Sequence, residues 1–248
     1  MSVYDIHSHI LPQIDDGSKN IETSIAMLEK SAEYGVDIMV ATPHFYAHRN
    51  HIGTFLEKRT QAYEALRVEI KKRQNADMLE SIPEIRLGAE VAFFDGISRA
   101  EQIDKLTIEG TGSLLIELPF GDWDSSVVKE IDHLIRERGF QVILAHLERF
   151  LYYKGNKQYI EQLKEMPLYI QINAESLIDW RGRGKLLKLF RQKEAHLLGS
   201  DCHGMHHRVP NLDGGRSVIR TKLGQETLDA IDAYGAKLVG SPKGNSEV

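Results

Sequence analysis

Cysteine is nearly missing from this chain. One residue, Cys202, in 248 leaves no partner for an intrachain disulfide. No apolar run is long enough to cross a bilayer. The N-terminal stretch has no basic start followed by an apolar secretory segment. Positive charge is not in excess: 31 Lys and Arg stand against 36 Asp and Glu, a net charge of −5, which argues against a general nucleic-acid or membrane-surface binder. Pro/Gly-rich linkers, low-complexity tracts and internal repeats are also missing. These absences leave a soluble cytoplasmic protein, with residues 1–240 expected to form one domain and the polar stretch 241–248, "SPKGNSEV", a disordered tail. The 42% hydrophobic content is enough for a substantial core.

What is present is a rhythm. Short β-branched runs alternate with amphipathic stretches. The runs are "VYDIH", "VDIMVATPH", "EIRLGAE", "GSLLIELPF", "FQVILAH", "LYIQIN" and "AHLLGSD". Helices are expected over the stretch "IETSIAMLEKSAEYG", over 51–74, briefly near 97–105, and over 124–138, 156–165, 184–193, 213–222 and 225–234. Seven β-then-α units in sequence favour a parallel sheet covered by helices.

The ends of those runs carry the chemistry. The first delivers His7 and His9, the second His44, the third Glu90, the fourth Glu117, the fifth His146, and the seventh Asp201 and His203. In a βα barrel the strand C-termini converge on one face, so six of the seven strands aim an imidazole or a carboxylate at a common centre. His7 and His9 are two apart and point to the same side of an extended strand, with Ser8 turned away. Nitrogen and oxygen donors of this kind suit Zn, Mn or Fe rather than Ca, and their number exceeds what one ion can use. A bridging carboxylate such as Glu90 therefore implies a multinuclear site. A single buried His at a strand end is more often a hydrogen-bonded structural residue than a ligand. His133 and His196, inside expected elements, are read that way. His48, His51, His206 and His207 are read as solvent-facing, although His206 or His207 is within reach of the site. For the eight strand-end residues together, the structural reading would need repeated accidents. Asp15 is not expected to ligate, and Asp5 is expected to be a buried support beneath His7.

The motifs "DIHSHI", "ATPH", "GAE", "LAH" and "GSDCH" resemble those of the PHP (polymerase and histidinol phosphatase) superfamily, over residues 5 to about 210. The opening "DIHSHILPQIDDGS", with "TPHF" and "HLERF", is similar to the bacterial manganese-dependent protein-tyrosine phosphatases of capsule and exopolysaccharide synthesis. The resemblance implies a distorted (β/α)7 TIM-like barrel, in agreement with the units counted above, and a cluster of three metals, Mn2+ with Fe, Zn or Co as alternatives. It implies a first metal on His7, His9, Glu90 and Asp201. It implies a second on Glu90 and His146 with Glu117 on or near it, and a third on Asp16, His44 and His203. It assigns Arg149 and Arg208 to gripping the phosphate. The implied substrate is phosphotyrosine on a protein, a cognate bacterial tyrosine kinase. Nucleic acid and stable membrane insertion are not expected. A phosphate monoester is a dianion, and clustered divalent ions neutralise it and lower the pKa of water towards about 7.

Three rival readings share parts of this pattern. "CHGMHHR" has the Cys-x5-Arg spacing of thiol-based phosphatases, from Cys202 to Arg208, but the neighbouring Asp201 would blunt a thiolate. A PHP phosphoesterase acting on a small phosphomonoester such as histidinol phosphate would use the same metals. A catalytically dead regulator is opposed by the lack of any lost ligand position.

Overall fold

The structure is a computed structural model that describes residues 1–241; all but the first residue of the expected tail over 241–248 lie outside the described residues. Nine strands run in chain order among the described residues: β1 (Tyr4–Ser8), β2 (Ile38–Ala41), β3 (His44–Phe45), β4 (Glu84–Leu87), β5 (Glu90–Ala92), β6 (Ser113–Glu117), β7 (Gln141–Leu144), β8 (Tyr169–Asn173) and β9 (Leu197–Gly199). All pairings among them are parallel, in the order β1-β2-β4 and β3-β5-β6-β7-β8-β9. β2 with β3, and β4 with β5, are the two halves of single staves, so nine strands make seven positions. Pairing in the second run lapses after Ala41 and resumes beyond Pro43, with His44 opposite Glu90. Proline has no N–H to give to a ladder, so the stave breaks there and restarts. The sheet curls until β9 meets β1: a parallel bridge joins Ser8 and Cys202, and the His9 N–H donates to the Cys202 carbonyl at 2.9 Å. The result is the (β/α)7 barrel.

The helices are α1 (Ile21–Glu33), α2 (Ile52–Asn75), α3 (Ser125–Arg136), α4 (Lys157–Lys164), α5 (Ala174–Ile178), α6 (Arg183–Arg191), α7 (Leu212–Leu223) and α8 (Gln225–Val239). Local chemistry starts them. The Asn20 side chain accepts from the Thr23 N–H at 2.9 Å to open α1, and Asp124 accepts from the Ser126 N–H at 2.7 Å to open α3. α3 buries Val127, Ile131 and Leu134, spaced three or four apart, against the sheet. The short helix expected near 97–105 is instead two 3-10 turns, Ile97–Arg99 and Ile103–Leu106. α5 was not anticipated, because five residues are too few to show a period.

α8 runs five residues past its expected end at 234. Gly235 has the weakest helix propensity in that stretch short of proline, but here it makes room: a Cβ would lie 2.6 Å from the Tyr4 ring. Beyond it, the Leu238 carbonyl accepts from Ser113 Oγ at 2.7 Å, and Lys237 Nζ donates to Tyr169 Oη at 2.5 Å. Tyr4, Ser113 and Tyr169 are the first residues of β1, β6 and β8, so α8 closes the end of the barrel where strands begin. Leu238 and Val239 join Ile6, Val40, Leu115 and Ile143 in one buried cluster beneath the site. No helix among the described residues is long and apolar enough to cross a membrane.

Candidate metal centre

The opposite end of the barrel gathers the residues singled out from strand ends. His7 Nε2 and His9 Nε2 stand 3.2 Å apart. Each is 3.3 Å from Glu90 Oε2 and 3.4 Å from Asp201 Oδ1, so these four side chains meet at one point. His146 Nε2 lies 2.7 Å from Glu90 Oε1 and 3.4 Å from Glu117 Oε1. His44 Nε2 and His203 Nε2 reach Asp16 Oδ1 at 3.4 and 3.5 Å, and His44 Nδ1 sits 2.8 Å from Glu90 Oε2. Ligand-type atoms within 4.8 Å of one another form four overlapping sets. These are His9, Asp16, His44 and His203; His7, His9 and Asp201; His7, Glu90 and His146; and His44, Glu90 and Glu117. Glu90 stands in two of them, as a bridging carboxylate would. Glu117 has a ligand-type oxygen within 4.8 Å of those of Glu90 and His44. Asp16 is the outermost member, with a side chain 68% exposed.

Which imidazole nitrogen faces the centre is decided one layer out. The His146 backbone N–H donates to Gln171 Oε1 at 2.9 Å, which fixes that amide's orientation. Gln171 Oε1 can then only accept from His7 Nδ1, 3.1 Å away. Asp15 Oδ2 accepts from His9 Nδ1 at 2.7 Å. In the neutral rings both Nε2 atoms therefore carry lone pairs, and they face Glu90 Oε2 and Asp201 Oδ1, buried oxygens that accept no hydrogen bond. Four acceptors around one point repel unless a cation sits among them, and a divalent ion fits this donor set. A proton competes for the same place. Burial disfavours a charged His9, but its hydrogen bond to Asp15 and the nearness of the Asp201 and Glu90 carboxylates prevail and raise its pKa well above the usual imidazole value. Against the penalty of burial, the facing His7 and His9 rings hold Asp201 well below the usual carboxylate range. Glu90 is held down in the same way, chiefly by His7 and then His146. Burial, with His9 and Arg208 nearby, depresses His203 to about 4.

Arg149 and Arg208 form the rim. Arg149 Nη2 donates to Asp201 Oδ2 at 2.6 Å, Arg208 Nη2 donates to the same oxygen, and Arg208 Nη1 donates to His203 Nε2 at 2.8 Å. Each arginine is about one-third exposed, so both guanidinium groups are open to an incoming anion (33% and 32%). Three residues of this site, His146, Asp201 and Arg208, have φ of 32°, 52° and 51°, the left-handed region. Non-glycine residues there cost on the order of 1 kcal/mol or more each, and they cluster at functional sites. Two glycines allow the close packing. A Cβ on Gly17 would meet the His9 carbonyl oxygen at 2.4 Å, and one on Gly199 would meet His7 Cβ at 2.7 Å.

The thiol reading fails on burial. Cys202 is fully enclosed, and burial first, then Asp5, pushes its thiol far above the usual value. Arg208 bonds to Asp201 and His203 instead. His196 accepts from the Ile170 N–H through Nδ1 at 3.1 Å, and His48, His51, His206 and His207 are exposed and outside every ligand set. His133 is partly exposed and faces Glu137 at 3.7 Å. Asp5 lies beneath His7, where its Oδ1 accepts from the Ser200 N–H at 2.9 Å and burial raises its pKa to about 6.

The sixth stave, "LYIQIN", delivers no ligand in the sequence reading, and this is where that reading fell short. Its two amides form a relay: Gln171 Nε2 donates to Asn173 Oδ1 at 2.7 Å, and Asn173 Nδ2 donates to Asp201 Oδ2 at 2.8 Å. Alternation along β8 puts residues 171 and 173 on one side, which was the signal available. Asp15 also does more than stay clear of a metal, since it fixes His9 and accepts from the His44 N–H at 3.0 Å.

Known proteins are similar to this chain in sequence and in shape. The chain is 27% identical over 229 residues to the tyrosine-protein phosphatase CpsB of Streptococcus pneumoniae, covering 89% of this chain and 90% of that one. It is 29% identical over 229 residues to the tyrosine-protein phosphatase YwqE of Bacillus subtilis, covering 90% and 85%. A crystal structure from work on YwqE and CpsB, there called unique metal-dependent tyrosine phosphatases, superposes with a TM-score of 0.77 at 20% identity, covering 97% of this chain and 96% of that one. The barrel alone extends to a dihydropyrimidinase from Brevibacillus agri, with a TM-score of 0.56 at 11% identity over 96% of this chain and 70% of that one. The family model for capsular polysaccharide synthesis, CpsB/CapC, matches residues 3–239, and the chain belongs to that family.

Proposed function

We propose that this chain is a single-domain, cytoplasmic, metal-dependent phosphatase that hydrolyses phosphotyrosine on proteins. The observation that carries the reading is the meeting of His7, His9, Glu90 and Asp201 at one buried point, with Arg149 and Arg208 on the open side of Asp201. The names of the relatives supply the phosphotyrosine. His7, His9, Asp16, His44, Glu90, Glu117, His146, Asp201 and His203 would hold up to three divalent ions, Mn2+ foremost, with Fe, Zn or Co as alternatives. When bound, such ions neutralise the phosphate dianion and lower the pKa of water towards about 7.

The chain's own residues do the rest. Arg149 and Arg208 offer planar forks of donors to the phosphoryl oxygens, a geometry that matches phosphate better than a lysine would. Asp201 shares its two oxygens: Oδ1 faces the imidazoles and Oδ2 tethers both arginines, so one carboxylate fixes the distance between rim and centre. Gln171 and Asp15 keep the His7 and His9 lone pairs pointed inwards. A tyrosine leaving group has a pKa of about 10 and needs less proton assistance than an alkyl alcohol. Within capsule synthesis the proposed substrate is a bacterial tyrosine kinase.

The deciding experiment combines elemental analysis with hydrolysis of a phosphotyrosyl peptide before and after chelation. Activity is expected to vanish on chelation and return with Mn2+. Hydrolysis that survives chelation would overturn the metal reading, and faster turnover of histidinol phosphate than of peptide would overturn the substrate.

A further inference from the structure

A groove of about 500 Å³ lies between α4 and α6, on the outer face of the barrel. Its floor is apolar, with Leu151 and Leu189, and its walls carry Lys154 and Lys157 on one side and Lys185 and Lys188 on the other. All four lysines are exposed, and Lys154, Lys157 and Lys188 form no ion pair among the described residues. Lys185 lies over the ring of exposed Tyr152 at 5.9 Å. A fifth lysine, Lys164, at the far end of α4, is already held by Glu194 at 2.6 Å. Unpaired positive charge therefore lies at the start of α4, with Lys154 and Lys157, and along α6, with Lys185 and Lys188. Residues 151–194, which span the groove and include its two lining carboxylates Glu161 and Glu194, hold nine Lys and Arg against five Asp and Glu, in a protein whose net charge is −5. Leu151, on the floor, is two residues beyond Arg149 on the active-site rim.

We infer that this groove docks an acidic segment of the phosphotyrosine protein, flanking the residue that enters the metal centre. The inference rests on the phosphotyrosine reading above. A polypeptide held by Arg149 at its phosphate continues across the rim, and the groove is lined by Leu151, two residues further along the chain. Two facing rows of lysine over an apolar floor suit an extended chain carrying Asp or Glu, whose carboxylates meet the walls while its apolar side chains meet the floor. A flat bilayer surface contacts a convex patch better than facing walls of this kind.

The test uses one phosphotyrosyl core peptide in three forms: bare, extended by five glutamates, and extended by five serines. The extensions are placed on either side in separate peptides. In the Mn2+-loaded protein one glutamate extension is expected to lower KM about ten-fold with kcat unchanged, an advantage that fades at about 0.5 M salt. The quadruple variant K154E/K157E/K185E/K188E is expected to lose that advantage while keeping its turnover of p-nitrophenyl phosphate. The quadruple Lys→Gln variant repeats the measurement if the first misfolds. Equal KM for the glutamate and serine peptides, or an advantage that survives the substitutions, would overturn the proposal. So would loss of binding to phosphatidylglycerol vesicles in the variant without any change in KM, which would assign the groove to a membrane. Fluorescence anisotropy of the unphosphorylated glutamate peptide reads the groove alone. If no phosphotyrosyl peptide is hydrolysed, the functional reading falls, and the anisotropy still decides the groove.

Discussion

At the scale of single residues, the centre depends on atoms that never touch its middle. His7 presents Nε2 inwards because Gln171 accepts from its other nitrogen, and Gln171 is itself oriented by the His146 backbone N–H. Partners of this kind typically carry about 10- to 100-fold in metal affinity. Asp15→Ala and Gln171→Leu are each expected to weaken Mn2+ binding by a factor in that range, read by titration calorimetry, while circular dichroism remains that of the parent. Cys202→Ser is expected to leave hydrolysis largely intact, and native Cys202 is expected to resist iodoacetamide at pH 8, as a deeply buried thiol with a raised pKa should. Rapid alkylation with loss of activity would restore the thiol mechanism. His, Asp and Glu at strand ends were legible in the sequence because each carries its chemistry in its type. Gln171 and Asn173 were not, because an amide in a strand looks the same whether it faces solvent or a carboxylate.

At the scale of elements, the rhythm of seven units was legible, since alternation of strand and helix survives errors of a residue or two at each boundary. The breaks within staves were not. Pairing past Pro43 depends on where the partner strand lies, which no local pattern encodes. The same limit explains α8, whose reach past Gly235 is decided by the Tyr4 ring and not by propensity. The bend where β9 passes β1 gives a sharper test. Gly199→Ala would place a methyl 2.7 Å from His7 Cβ and 2.9 Å from Gln171 Nε2, and neither neighbour has free space to yield. Overpacking of this kind costs about 1–3 kcal/mol, so the melting temperature should fall by several degrees, with Mn2+ affinity falling too as His7 is displaced. An unchanged melting temperature would show that β9 shifts freely away from β1.

At the scale of the whole molecule, the first strand is stitched to the segment that follows the last. The Ser200 N–H donates to Asp5 across 195 residues of sequence, and the Ser8–Cys202 bridge lies beside it. α8 binds the opposite end of the same staves. Within that helix layer, Arg216 of α7 forms a paired contact with the buried carboxylate of Asp232, with oxygens at 2.5 and 2.9 Å. Asp232→Ala leaves a guanidinium unpartnered in a mostly enclosed place, and a loss of about 3–5 kcal/mol in unfolding free energy is expected from denaturant titration. α8 should then loosen as a unit, with amide exchange rising first at Leu238 and Val239.

The Ser8–Cys202 closure also converts distance along the chain into time. His7 and His9 cannot meet Asp201 until nearly the whole sequence has been threaded round, and contacts between such distant residues form slowly and late. The complete ligand set is therefore a product of folding and not a seed for it. Added Mn2+ should leave the refolding rate unchanged and slow unfolding, so that the ion acts as a latch on a finished barrel. Stopped-flow refolding with and without the ion would show a template instead if the folding limb accelerated.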